Sequence, residues 1–105
     1  MQLIKHKHYT LITIYNTNDF NKLINKLNNS VSQKTSVIIN CLKCNIADDI
    51  IVDKLLPFHF IWQKTNNSFI LVSNIRKKLL NDMVSINTLE EALDFFHMEQ
   101  LTRNL

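Results

Sequence analysis

The sequence predicts an α/β fold in which a mixed, mostly parallel sheet of about five strands carries about four helices and opens with a β-hairpin. Three observations predict it. The apolar runs Gln2 to Ile4 and Tyr9 to Tyr15 are rich in β-branched and aromatic residues, and only the polar segment Lys5 to His8 separates them, the pattern of two hairpin strands. Thr35 to Cys41 and Ser68 to Ser73 are short and almost continuously apolar, as strands covered on both faces are. Stretches with apolar residues at helical spacing alternate with these runs across short connections, and right-handed crossovers then make most of the sheet parallel.

Each element has its own signal. Thr17, Asn18 and Asp19 supply capping oxygens ahead of Phe20, Leu23, Ile24, Leu27 and Val31, one apolar stripe that predicts the first helix. Asn45, Asp48 and Asp49 place cap-competent oxygens and negative charge before Ile50, Ile51, Leu55, Phe58, Ile61 and Trp62, so the second helix starts near Ala47. Pro57 lacks an amide proton, which predicts a break near Leu56 instead of one rod to Lys64. Ile75 to Leu80 reads as a short helix and Met83 to Ile86 as the last strand. Thr88 followed by Glu91 is a capping box, and Leu89, Ala92, Leu93 and Phe96 form the buried face of a closing helix, off which Phe95, His97 and Met98 lie.

A chain of 105 residues, 46% hydrophobic, buries roughly two thirds of its unfolded surface in one core. No long linker or internal repeat divides it, so residues 1–105 read as a single domain. The chain has no glycine, which excludes the standard phosphate loop, dinucleotide fingerprint and calcium loop, all of which need a residue without a β-carbon. Fourteen asparagines, thirteen isoleucines and ten lysines point to coding bias, so single residues of these types say little. Twelve basic against nine acidic residues give +3, with only two arginines and no interleaved aromatic stripe, a balance that does not favour nucleic acid as the partner. No run approaches the ~20 apolar residues of a membrane span, and no signal peptide precedes the first strand. The expectation is a cytoplasmic protein with reduced thiols.

Cys41 and Cys44 form one C-x-x-C between a strand and a helix, where a thioredoxin-like pair sits. Such a site also uses a cis-proline ahead of a later strand, whereas the single proline, Pro57, falls inside a predicted helix. The plainer expectation is one cysteine packed at a strand end and one in a loop, both ordinary thiols. His6 and His8 share a strand face if the first strand runs that far, and with the cysteines they make a formal four-ligand zinc set, but the spacing is not that of a structural site. Neither a metal nor another cofactor is expected. Asp48 and Asp49 lack a partner for general acid-base chemistry and suit the first turn of a helix. His59 and Trp62 belong to core packing, with His59 at its boundary.

With this order of elements the chain resembles the STAS domain, the fold of anti-sigma factor antagonists and of the cytoplasmic tails of some anion transporters. The resemblance rests on the opening hairpin, Val37 to Asn40 (VIIN), Ile46 to Ile51 (IADDII), Phe69 to Asn74 (FILVSN) and Val84 to Phe96 (VSINTLEEALDFF). In that family the second helix opens with D-S-S-G-L or a similar motif whose hydroxyl is phosphorylated to switch partner binding. Here Asp48 falls at the phosphorylated position and Ile50 replaces the glycine, and neither Ser nor Thr occurs from Ala47 to Lys64. The chain is also similar to small bacterial STAS-like proteins, some of which carry the label ribonuclease Z. It is too short for that nuclease and lacks its H-x-H-x-D-H metal ligands.

The resemblance implies a non-enzymatic regulatory or scaffold domain that binds a protein partner, an anti-sigma-like regulator or an RNA-processing enzyme, through Asp48, Asp49 and Ile50, with the phosphorylation switch lost. The alternatives are a small thiol redox protein using Cys41 and Cys44, or an accessory protein of an enzyme such as ribonuclease Z.

Overall fold

The computed structural model, which describes residues 1–104, runs β1 (Gln2–Lys5), β2 (Tyr9–Thr13), α1 (Thr17–Leu27), β3 (Ser36–Asn40), α2 (Asp48–Lys64), β4 (Phe69–Val72), β5 (Val84–Ile86) and α3 (Leu89–Arg103). The five strands form one sheet in the order β1-β2-β3-β4-β5. β1 is antiparallel to β2, with Gln2 opposite Thr13 and Lys5 opposite Thr10, and every other pairing is parallel. The predicted mixed, mostly parallel sheet with its opening hairpin is therefore present.

The period-2 alternation of side chains sorts the sheet's residues between two layers. Val37, Ile39, Phe69 and Leu71 face α1 and α2, where Phe20, Leu23, Leu27, Ile51, Leu55 and Trp62 complete the larger core. Ile38, Ile70 and Val72 face the other way, against Ala92 and Phe96 of α3. Both faces of β3 and β4 are covered, which is why Val37 to Ile39 and Phe69 to Val72 read as unbroken apolar runs. No helix of the described residues is long and apolar enough to cross a membrane.

Asparagine does the work that glycine usually does. Asn66 and Asn81 take the positive φ values of 59° and 54°, a region that asparagine tolerates better than most side chains. Asn66 closes α2 in a Schellman motif: its N–H donates to the Gln63 carbonyl at 3.2 Å and that of Asn67 to Trp62 at 3.1 Å. α1 is capped one residue earlier than the sequence suggests, by Asn16, whose Oδ1 accepts the Asp19 N–H at 2.9 Å. Asp19 instead accepts from the Met1 ammonium at 2.7 Å and from the Tyr15 N–H at 2.9 Å, and these two donors hold its carboxyl below the ordinary aspartate range.

Three sequence expectations need correction. α2 is continuous from Asp48 to Lys64 with Pro57 inside it; Pro57 and Asp53, whose carbonyl loses its amide partner, are both exposed, so water can take the place of the missing donor. Ile75 to Leu80 holds only the single 3-10 turn Lys77–Leu79, leaving three α-helices among the described residues where about four were expected. The connection Ser73–Met83 is shorter than the dozen or so residues of a helical crossover, and it lays Ile75, Leu80 and Met83 on the larger core instead. Val31 lies outside α1 and is 70% exposed, because the Asn29 Oδ1 accepts the Val31 N–H at 2.9 Å, a local turn that competes with another helical turn.

Candidate functional site

Parallel pairing of β2, β3 and β4 brings their carboxyl ends to one edge of the sheet, the edge at which open α/β folds bind their ligands. The chain leaves β3 there as a turn. The Cys41 N–H donates to the Val72 carbonyl at 2.8 Å and the Cys44 N–H to the Cys41 carbonyl at 3.2 Å, so Leu42 and Lys43 form the corner. Asn40 steadies it by accepting the Leu42 N–H on Oδ1 at 3.1 Å. Cys41 is thereby packed in the core at 6% exposure, with its sulfur 4.0 Å from the Ile39 carbonyl, while Cys44 is half-buried. Both are free thiols. The placement is the expected one, a cysteine at a strand end and another in a loop.

The two thiols differ in their ionisation. The neighbouring Cys44 side chain, with burial, pushes Cys41 far above the ordinary thiol range. Cys41 in turn lowers Cys44 to about 6, against opposition from burial and from Asp48 and with help from the Ile46 N–H. A sequence shows the spacing of two cysteines but not which one is lowered.

The two sulfurs share a cavity of about 210 Å³ with Ile46, Asp48, Ser73 and Asn74. Ile46 also lines a second cavity, a groove of about 340 Å³ between α1 and α2 with Phe20, Ile24, Ile50 and Lys54 on its walls. Between the two lies the start of α2. Its N-cap is Ala47, which offers no side-chain acceptor, and Asp49 supplies one instead, taking the Ile50 N–H on Oδ1 at 3.0 Å. Asp48 is half-buried and Asp49 exposed, while Ile50 leaves 47% of its surface open. The structure thus collects Asp48, Asp49, Ile50, Cys41 and Cys44 on one edge of the molecule.

The histidines lie elsewhere. β1 ends at Lys5, which leaves His6 and His8 in the hairpin turn. His8 adjoins Tyr9, the partner of Ser36 at the start of β3, whereas Cys41 follows its end, some 16 Å away at about 3.3 Å per strand residue. No joint site with the cysteines forms, and among the described residues no three His, Cys, Asp or Glu side chains are grouped to hold a metal. At the histidine end a polar cleft of about 370 Å³ is lined by Lys7, His8, Lys34 and Arg103. Arg103 is already engaged by Ser68 at 2.7 Å and Glu99 at 4.0 Å.

His59 sits inside the core and not at its boundary, 8% exposed, with neither ring nitrogen hydrogen-bonded among the described residues. Its ring lies against Phe60 and Phe69. Burial pushes the imidazole below the ordinary histidine range, against the pull of Asp82. Trp62 is fully buried as expected. Phe95 and Met98 form an open strip on α3, Met98 being 68% exposed.

The chain matches no family model and no curated protein.

Proposed function

We propose that this protein is a non-enzymatic, cytoplasmic interaction domain of the STAS type, which binds a protein partner through the start of α2. The observation that supports this most is Ile50, a large aliphatic side chain held open to solvent beside Asp48 and Asp49 and on the wall of the α1–α2 groove. An exposed apolar anchor with a charged rim is the anatomy of a small docking site. The opening hairpin and a helix that starts at Asp48 are in keeping with the resemblance drawn from the sequence, although only a 3-10 turn stands where it implies a helix between β4 and β5. The acidic rim selects a partner whose contacting surface is basic with an apolar side chain at its centre. With no hydroxyl from Ala47 to Lys64, occupancy is set by concentration and affinity instead of by a helix phosphate.

Affinity capture from the native lysate, run in parallel with wild type and Ile50→Lys, tests the reading. A protein retained by the wild type and lost with the variant, while the variant's thermal unfolding is unchanged, supports it. Equal retention by a folded variant contradicts it.

A further inference from the structure

We propose that Cys41 and Cys44 are a hydroperoxide-reactive thiol pair, in which Cys44 is oxidised first and Cys41 then closes an intramolecular disulfide. The turn supplies the reach. A four-residue turn closed by a hydrogen bond holds its end α-carbons within about 7 Å, against about 4.4 to 6.8 Å across a disulfide, and here the closing bond is Cys44 N–H to Cys41 carbonyl at 3.2 Å. Exposure divides the roles: both residues line the open cavity of about 210 Å³, but Cys44 is half-buried while Cys41 is only 6% exposed. The neighbouring Cys41 side chain also lowers Cys44 toward the thiolate, the form that reacts.

The steps balance. The Cys44 thiolate attacks one oxygen of the hydroperoxide, an S–O bond forms, the O–O bond breaks, and the departing oxygen takes a proton from solvent to leave as water or an alcohol. Cys44 is then a sulfenic acid, two electrons more oxidised, and the peroxide is reduced by the same two. The Cys41 sulfur next attacks the Cys44 sulfur, its proton joins the departing hydroxyl as water, and the S–S bond replaces the S–O bond. A cellular thiol reductant reverses the change by exchange. The pair acts without any docking partner.

The test uses the full chain, reduced and then exposed to hydrogen peroxide near neutral pH. The expected product is a monomer that has lost two hydrogens by intact mass, with Cys41 and Cys44 linked in its peptide map and the mass restored by dithiothreitol. Cys44→Ser should slow peroxide consumption by about tenfold or more, since the remaining buried thiol is not ionised. Cys41→Ser and Cys41→Ala should each stop at a Cys44 sulfenic acid that dimedone traps, and agreement between the two variants separates the missing sulfur from any loss of packing. Wild type that gains oxygen without the link, crosslinks between molecules, or reacts no faster than Cys44→Ser would overturn the proposal.

Discussion

The indole N–H of Trp62 donates to the Thr35 carbonyl at 2.8 Å, fastening the last turns of α2 to the residue that leads into β3. Trp62 is also fully buried, with its ring against Phe58 and Phe69. Trp62→Phe keeps the aromatic contact but removes the donor and some volume. The expected cost is about 2–4 kcal/mol, part from the orphaned carbonyl and part from the void. Urea unfolding checks it, as a lower midpoint with an unchanged slope.

Replacing Pro57 by alanine should stabilise the protein. A proline inside a helix costs about 3 kcal/mol, of which ~1 kcal/mol is offset by the stiffer unfolded chain. Pro57 is exposed and gives no side chain to the core, so Pro57→Ala should gain about 2 kcal/mol net. A thermal midpoint that stays put or falls would show that the ring's fixed geometry is part of the helix's stability.

His59 gives the protein an acid weakness. Its folded pKa lies below the ordinary value, so above about pH 7.5 the imidazole is neutral in both states and contributes no pH dependence. As pH falls through about 6.5 the unfolded chain takes up a proton that the folded chain refuses, and stability drops until the folded pKa is reached. His59→Leu removes this dependence and frees two buried nitrogens of their missing partners. The variant should be equal to or up to ~1 kcal/mol more stable than wild type at pH 8, with the gap widening toward pH 5. Parallel stability curves at the two pH values would contradict this account.

Alkylation by iodoacetamide should follow a titration of Cys44 with a midpoint of about 6, since only the thiolate reacts. Below that pH the rate falls tenfold per unit; above it the rate is flat through neutrality. Cys41 should stay unlabelled until the protein unfolds. Peptide mapping after timed labelling assigns each rate, and a Cys44 midpoint near 8.5, the ordinary thiol value, would show that Cys41 does not lower it.

The sheet was legible because β3 and β4 are covered on both faces and therefore centre on the apolar runs Val37 to Ile39 and Phe69 to Val72. The Thr88–Glu91 capping box was legible because one short sequence carries the whole device, and Thr88 Oγ1 accepts the Glu91 N–H at 3.2 Å as expected. What escaped depends on distant or directional contacts. The Asp19 carboxylate reads as a helix cap until the Met1 ammonium is found beside it, and Val31 reads as helical until the Asn29 side chain takes its amide. Pro57 was read by its missing donor alone, without knowledge that it faces water. In the candidate site, the spacing located Asp48, Asp49 and the cysteines, but the groove beside Ile50 and the ionisation of Cys44 arise from how α1, α2 and the turn meet.

Binding of the captured partner to Asp48→Lys/Asp49→Lys, measured against thermal unfolding of the same double variant, decides whether the start of α2 is the interface. Losing favourable charge at a helix start costs ~0.3–1 kcal/mol per site, so the variant should remain folded with a slightly lower midpoint. Reversed charge at a close contact costs affinity well beyond that, and a loss of about a hundredfold or more is expected, the equivalent of ~2.8 kcal/mol. A folded variant that binds with wild-type affinity would place the interface elsewhere and contradict the account.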